Sequence, residues 1–158
     1  MAKKNDSLGD RMKGYESVSR NFLTRRVPAI IRLDGKAFHT FTKGMEKPFD
    51  PVLTQAMQET MKYLCENIQG CVLGYTQSDE ITLVLTDYAT IQTDAWFGYN
   101  IQKMCSVSAS MATLAFNKAF NKEVVQFFLR NDIEDAQRNG DTSDRALASA
   151  ILSGSKLV

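Results

Sequence analysis

A β-branched strand, an amphipathic helix, two strands joined by a polar turn and a second helix follow one another in this chain. That order predicts an α+β domain with an antiparallel sheet and helices on one face. Three observations carry the expectation. Ala29-Ile30-Ile31-Arg32-Leu33 is a β-branched run ending at Asp34-Gly35, a pair typical of a tight turn. From Pro51 the period changes: Leu53, Met57, Thr60, Met61, Leu64 and Ile68 share one helical face, and Gly70 closes the helix. Val72–Thr76 and Ile81–Leu85 then flank Gln77-Ser78-Asp79-Glu80, which reads as a β-hairpin.

The remaining elements are placed in the same way. Asp6 to Asp10 supply cap-type residues ahead of a helix-capable stretch from Arg11 to Ser19. Lys36–Phe41 continues beyond the first turn, and Gly44 and Pro48 mark a loop. Asp94 opens a helix in which Phe97, Ile101, Met104, Cys105, Ser108, Met111 and Ala115 recur at three- and four-residue steps. Strand–helix–strand–strand–helix is most of a ferredoxin-like sheet. Its fourth strand is missing, because Phe120 runs directly into Asn121-Lys122-Glu123-Val124-Val125, which reads as the start of a further helix reaching Asn139. The expectation is one domain over residues 1–158, with a shortened helical C-terminal part from about residue 122.

Composition narrows the function classes. Hydrophobic residues make up 44% and charged residues 23%, which excludes wholesale disorder. No apolar run approaches the roughly 20 residues that span a bilayer, and the N-terminus lacks a signal-peptide stretch. A soluble, cytoplasmic protein is expected. Cys65, Cys71 and Cys105 are odd in number and lack C-x-x-C spacing, which argues against a disulfide framework or zinc knuckle. His39 is the single histidine, which excludes two-histidine metal sites and leaves a Cys–His nucleophile pair disfavoured. Charge is uneven. Residues 1–50 hold eleven Lys or Arg against six Asp or Glu, a balance of +5, while residues 51–158 hold eight against twelve. A basic N-terminal third suggests a local surface for phosphates, though charge alone slightly favours a solvated face with chance clustering.

The carboxylates carry the chemistry. Asp34 ends the first strand, and Asp79 with Glu80 sits at the hairpin tip. In a βαββ sheet the first and third strands are neighbours, so these acids converge on one sheet edge. Converging carboxylates repel and raise one another's pKa unless a cation neutralises them. Mg²⁺ takes one or two carboxylates, water and substrate phosphates. Two such ions about 3.5–4 Å apart stabilise both oxygens of an in-line phosphoryl displacement. Neither G-x-x-x-x-G-K-[ST] nor G-x-G-x-x-G is present, so the phosphate cradle is neither a P-loop nor a Rossmann turn.

Three segments, in order and at matching separations, resemble the tRNA-His guanylyltransferase family. They are Gly9-Asp10-Arg11-Met12-Lys13-Gly14-Tyr15-Glu16, Ile31-Arg32-Leu33-Asp34-Gly35-Lys36-Ala37-Phe38-His39-Thr40-Phe41 and Tyr75-Thr76-Gln77-Ser78-Asp79-Glu80. The similarity runs from about Leu8 to Phe120 and is nearer to the bacterial, archaeal and phage guanylyltransferase-like branch. It implies a polymerase palm domain working in the 3′-to-5′ direction, adding nucleotides, GTP among them, to the 5′ end of tRNA. Template-dependent 5′-end repair, with ATP activating a 5′-monophosphate, is the implied task.

The resemblance also implies roles. Asp34, Asp79 and Glu80 are the catalytic acids, with two Mg²⁺ ions on Asp34, Asp79 and the Gly35 carbonyl. Arg32, Lys36, His39, Lys47, Ser78 and Lys103 handle nucleotide. Arg11, Lys13, Arg25, Arg26, Arg130, Arg138 and Asn139 contact tRNA. A dimer or tetramer is implied, to which the apolar Ala146–Val158 tail contributes an interface or a core. From the residues alone, His39 between Phe38 and Phe41 also reads as a core side chain, Lys103 as plain surface, and Phe38 and Phe41 as core in preference to stacking platforms. Departures are visible too. Leu129 replaces the family's Trp, the spacing from Arg130 to Asn139 is long, the His-Ile-Asn-Asn signature is absent, and the strand after Phe120 is lacking. A missing segment at that junction is favoured over a naturally abbreviated chain, since a palm without its edge strand exposes unpaired backbone. Two rival functions stay open: a non-catalytic RNA- or nucleotide-binding module, and a palm-type nucleotide cyclase.

Overall fold

The computed structural model describes residues 7–138. Helix α1 (Ser7–Ser17) precedes strand β1 (Ala29–Asp34), and a single helical turn, α2 (Phe38–Phe41), follows the strand directly. Helix α3 (Pro51–Asn67) leads into the hairpin β2 (Cys71–Gln77) and β3 (Glu80–Leu85). Helix α4 (Ile101–Arg138) completes the described chain. The result is the expected α+β class, with a three-stranded antiparallel sheet in the order β1-β3-β2 among the described residues. Helices α3 and α4 pack on each other and on one sheet face.

Alternation along the strands explains the layering. Ala29, Ile31 and Leu33 of β1 and Ile81, Leu83 and Leu85 of β3 turn toward the helices and meet Met57, Leu64 and Met104. Each fully buried Leu, such as Leu64 or Leu83, contributes about 1.5–3 kcal/mol of transfer free energy. The opposite face carries Ile30, Leu73 and Tyr75, all more than half exposed.

Local chemistry sets the element ends. Asp50 caps α3 by accepting the Leu53 N–H at 3.0 Å, with Pro51 in the first turn where a missing N–H costs nothing. Gly70 adopts φ +80°, and a Cβ there would stand 2.5 Å from the Thr86 carbonyl oxygen. Only glycine therefore fits between α3 and β2.

Three expectations need correction. The helix expected from Asp94 begins instead with a 3₁₀ turn at Trp96–Tyr99 and a kink in which Phe97, Gly98 and Tyr99 have positive φ. The regular helix starts only at Ile101, whose N–H donates to the Asn21 carbonyl at 2.9 Å. The break expected at Asn121 does not occur, since α4 is continuous through it. Finally, the N-terminal helix ends at Ser17 rather than Ser19 and buries no residue. No helix among the described residues is long and apolar enough to cross a membrane.

Candidate functional site

Register brings the acids together. Asp34, the last residue of β1, pairs across the sheet with Glu80, the first of β3. Between β2 and β3 the turn is only Ser78-Asp79, and Ser78 takes φ +55° to close it. The Gly35 N–H then donates to the Asp79 carbonyl at 3.1 Å, clamping the hairpin tip onto the end of β1. Asp34 and Asp79 consequently line one cleft of about 500 Å³. Gly35 itself lies under the Phe38 ring, with which a Cβ would collide.

The electrostatics follow from the partners. Ser78 Oγ donates to Asp79 Oδ1 at 2.9 Å and holds that carboxylate in place. Glu80 is ion-paired with Arg32. Among the described residues neither Asp34 nor Asp79 has a cationic partner. Two oxygen donors sharing a cleft without a counter-charge fit a hard divalent cation, which takes one or two carboxylates and fills its shell with water and phosphate. No group of three or more His, Cys, Asp or Glu side chains is poised to hold an ion among the described residues, and Glu80 is paired with Arg32.

The other expected residues divide into those at the cleft and those away from it. His39, Lys47 and Ser78 line it. His39 is exposed, with Nε2 3.1 Å from Thr40 Oγ1, so the core reading of this side chain gives way. Lys47 is delivered by the loop that Asp50 folds over the cleft, accepting the Glu46 N–H at 3.2 Å as well as capping α3. Lys36 lies in an adjoining cleft. Phe38 is packed against the core, in line with the sequence, whereas Phe41 is 44% exposed.

Lys103 stands over the Phe97 ring, 5.8 Å from its centroid, at the start of α4. That start is tied to Asn21, at the Ala29–Leu85 end of the sheet and away from the acids. Arg32 is committed to Glu80 across the open sheet face. Arg25 Nε donates to Asp87 Oδ2 at 2.6 Å, and Arg26 gives its N–H to Asp87 Oδ1 and its guanidinium to the Asp87, Thr90 and Ile91 carbonyls. Both arginines therefore hold the loop after β3, and Arg25 also lies 3.6 Å from Asp94. Arg11 and Lys13 are exposed on α1. Arg130 lies on α4, its Nε donating to the Gln126 carbonyl at 3.3 Å. Arg138 ends α4, and Asn139 and the Ala146–Val158 tail lie outside the described residues.

Two features of the structure leave little trace in the sequence. Asp87 is fully buried. Burial raises its pKa, but the hydrogen bonds from Arg25 and Arg26 and their charges outweigh that, and the net shift is downward. Its only sequence signal is an acid two residues past the end of a strand. The second is a cluster of Phe38, Phe41, Phe116 and Phe120, with ring centroids 5.1–6.0 Å apart across α2 and α4. The spacing of Phe116 and Phe120 on one helical face was its only trace. The cysteines offer no nucleophile here. Burial, and then Cys65 beside it, pushes the Cys71 thiol up to about 11, and no cysteine lines the cleft that holds His39.

Comparison with known proteins adds to this geometry. The family model for tRNAHis guanylyltransferase (Thg1) matches residues 9–140. An uncharacterized protein of Acanthamoeba polyphaga mimivirus is 33% identical over 122 residues, 73% of this chain and 41% of that protein. The tRNA(His) guanylyltransferase of Schizosaccharomyces pombe is 36% identical over 75 residues, 46% of this chain and 28% of the yeast protein. The chain thus spans less than half the length of these relatives. Among solved structures, a bacterial tRNA(His) guanylyltransferase (Thg1)-like protein in complex with GTP superposes with a TM-score of 0.67 at 43% identity. The match covers 84% of this chain and 72% of that one. The corresponding complex with ATP gives the same TM-score and identity, covering 66% of its chain.

Proposed function

This chain belongs to the tRNAHis guanylyltransferase family, and from that premise we propose that it is a metal-dependent 3′-to-5′ nucleotidyltransferase acting on tRNA 5′ ends, with a palm-type domain. The observation that carries the reading is the pairing of Asp34 and Asp79 on one cleft, fixed by the hydrogen bond from the Gly35 N–H to the Asp79 carbonyl.

In this reading Asp34, Asp79 and the Gly35 carbonyl would hold two Mg²⁺ ions, which would lower the cost of charge developing on the attacking and leaving oxygens. The chain's own groups do the rest. Lys47 and His39 face the triphosphate of ATP or GTP in the cleft, Lys47 as a point charge. Ser78 keeps the Asp79 carboxylate oriented. The Arg32–Glu80 pair keeps a third acid nearby but neutralised. During activation an oxygen of the RNA 5′-monophosphate bonds to the α-phosphorus of ATP, and pyrophosphate leaves. During transfer the 3′-oxygen of GTP bonds to the activated 5′-phosphorus as its proton is released, and AMP leaves. The relatives solved with GTP and with ATP support both nucleotides as substrates. Arg11 and Lys13 on exposed α1, with Arg130, follow tRNA phosphates. The dimer or tetramer of this reading is supported by the exposed apolar row Ile30, Leu73 and Tyr75 on the open sheet face.

The test is nucleotide incorporation into a labelled, 5′-truncated tRNA with Mg²⁺, ATP and GTP. A 5′-extended product that chelation, Asp34→Ala and Asp79→Ala each abolish establishes the reaction. Salt-sensitive RNA binding without product makes the chain a binding module, and a cyclic nucleotide formed without RNA makes it a cyclase.

A further inference from the structure

Two clefts, not one, end on the acid pair. The first, of about 500 Å³, carries Lys47, His39 and Ser78. A second, of about 410 Å³, shares Asp34, Gly35, Phe38 and Asp79 with it and extends the other way, between the end of β1 and the middle of α4. Its chemistry differs. Phe41 and Phe116 wall it, Met57 and Ile81 close its floor, and Thr113 and Asn117 stand at the rim on an exposed face of α4. Lys36 is the one basic side chain in its lining.

Resting on the function proposed above, we infer that this second cleft takes the terminal nucleobase of the 5′-phosphorylated RNA while the first holds the nucleoside triphosphate. Three observations converge. The volume and mostly apolar lining with a few convergent polar groups match a small-ligand site. Phe41 is 44% exposed although its ring packs on Phe38, Phe116 and Phe120, so the cluster presents an aromatic edge to the cleft, and stacking of that kind tolerates any base. The rim amide of Asn117 supplies a donor and an acceptor for a base edge, and the Thr113 hydroxyl, which donates to the Ala109 carbonyl at 2.9 Å, keeps its oxygen as an acceptor.

Charge assigns the occupants. A triphosphate suits the cleft with Lys47 and His39, and an end bearing one phosphate suits the cleft with Lys36 alone. Because both clefts open on Asp34 and Asp79, a phosphate oxygen entering from the aromatic side meets a phosphorus held on the other. In-line displacement requires that approach.

Guanosine 5′-monophosphate serves as the probe for the RNA end, titrated by saturation-transfer NMR onto the full chain saturated with GTP, with ribose 5-phosphate as the base-free control. Thr113→Trp fills the cleft from an exposed position without removing core contacts, and Asn117→Trp does so independently if the first variant does not fold. The monophosphate is expected to bind beside GTP and ribose 5-phosphate to bind far more weakly. The filled variants should lose about tenfold or more in affinity for the monophosphate while a fluorescent GTP analogue binds within about twofold of wild type, the size expected for one lost stack. Displacement of GTP by the monophosphate, or an unchanged affinity in a folded filled variant, overturns the inference. Wild-type chain that binds the monophosphate beside GTP but extends no tRNA retains the second base site and refutes the reaction.

Discussion

The Gly35 N–H donates to the Asp79 carbonyl at 3.1 Å. One backbone hydrogen bond thus ties the end of β1 to the hairpin tip and fixes the separation of the two acids that flank it. Catalysis by a paired carboxylate centre depends on that separation more than on the stability of the fold. Inserting one glycine between Ser78 and Asp79 lengthens the two-residue turn and releases the clamp. The extra loop residue costs about 1 kcal/mol or less, whereas misplacing Asp79 by an ångström lowers turnover on the order of a hundredfold. A thermal melt beside the tRNA-extension assay separates the two effects.

The ion pair between Arg32 and Glu80 sits on the open sheet face, with the Arg32 side chain 62% exposed. Exposed pairs are worth about 0–1 kcal/mol, so Arg32→Gln is expected to shift the urea midpoint only slightly. Its main effect is to free Glu80 beside the acid pair, which raises the local negative charge. The Mg²⁺ concentration giving half-maximal extension is expected to change, and a midpoint loss well beyond that range would show that the pair holds the sheet together.

Asp87 makes the stability depend on acid. Its carboxyl is held below the ordinary value of 3.8 because the Arg25 and Arg26 contacts outweigh burial. A depressed carboxyl contributes stability that is complete above the unfolded pKa and lost as pH falls through the folded one. The contribution is therefore intact at neutral pH and disappears only below 3.8. Asp87→Asn is expected to lower the urea midpoint at neutral pH and to flatten its decline in strong acid. Parallel curves for wild type and variant would contradict this.

How much of this was readable in the chain can be judged residue by residue. Asp34-Gly35 and Gln77-Ser78-Asp79-Glu80 announce turns by composition, and the βαββ order places the first strand beside the third. The convergence of Asp34 with Asp79 and Glu80 was legible for those two reasons. The bonds that occupy Arg25 and Arg26 were not, because they join residues 61–65 positions apart and leave no periodic trace. The resemblance implies nucleotide contact for Lys103, and the structure sets its ammonium over the Phe97 ring, beside a kink at Phe97–Tyr99 that no periodicity announces. Asn121-Lys122-Glu123 has the composition of a helix start, but α4 continues through it, with Ala119 and Glu123 buried one turn apart. Packing along that face overrides the local cap signal.

The central claim is that Asp34 and Asp79 act as one centre. A double-mutant cycle on the single-turnover rate of tRNA extension tests it most directly, using Asp34→Asn, Asp79→Asn and the pair together in folded, tRNA-binding protein. Each single substitution is expected to lower the rate by roughly 10³-fold, and the double variant should be no slower than the worse single, as for residues that work as a unit. Rate losses that multiply in the double variant would mean that the two carboxylates act independently, and the shared centre would be refuted.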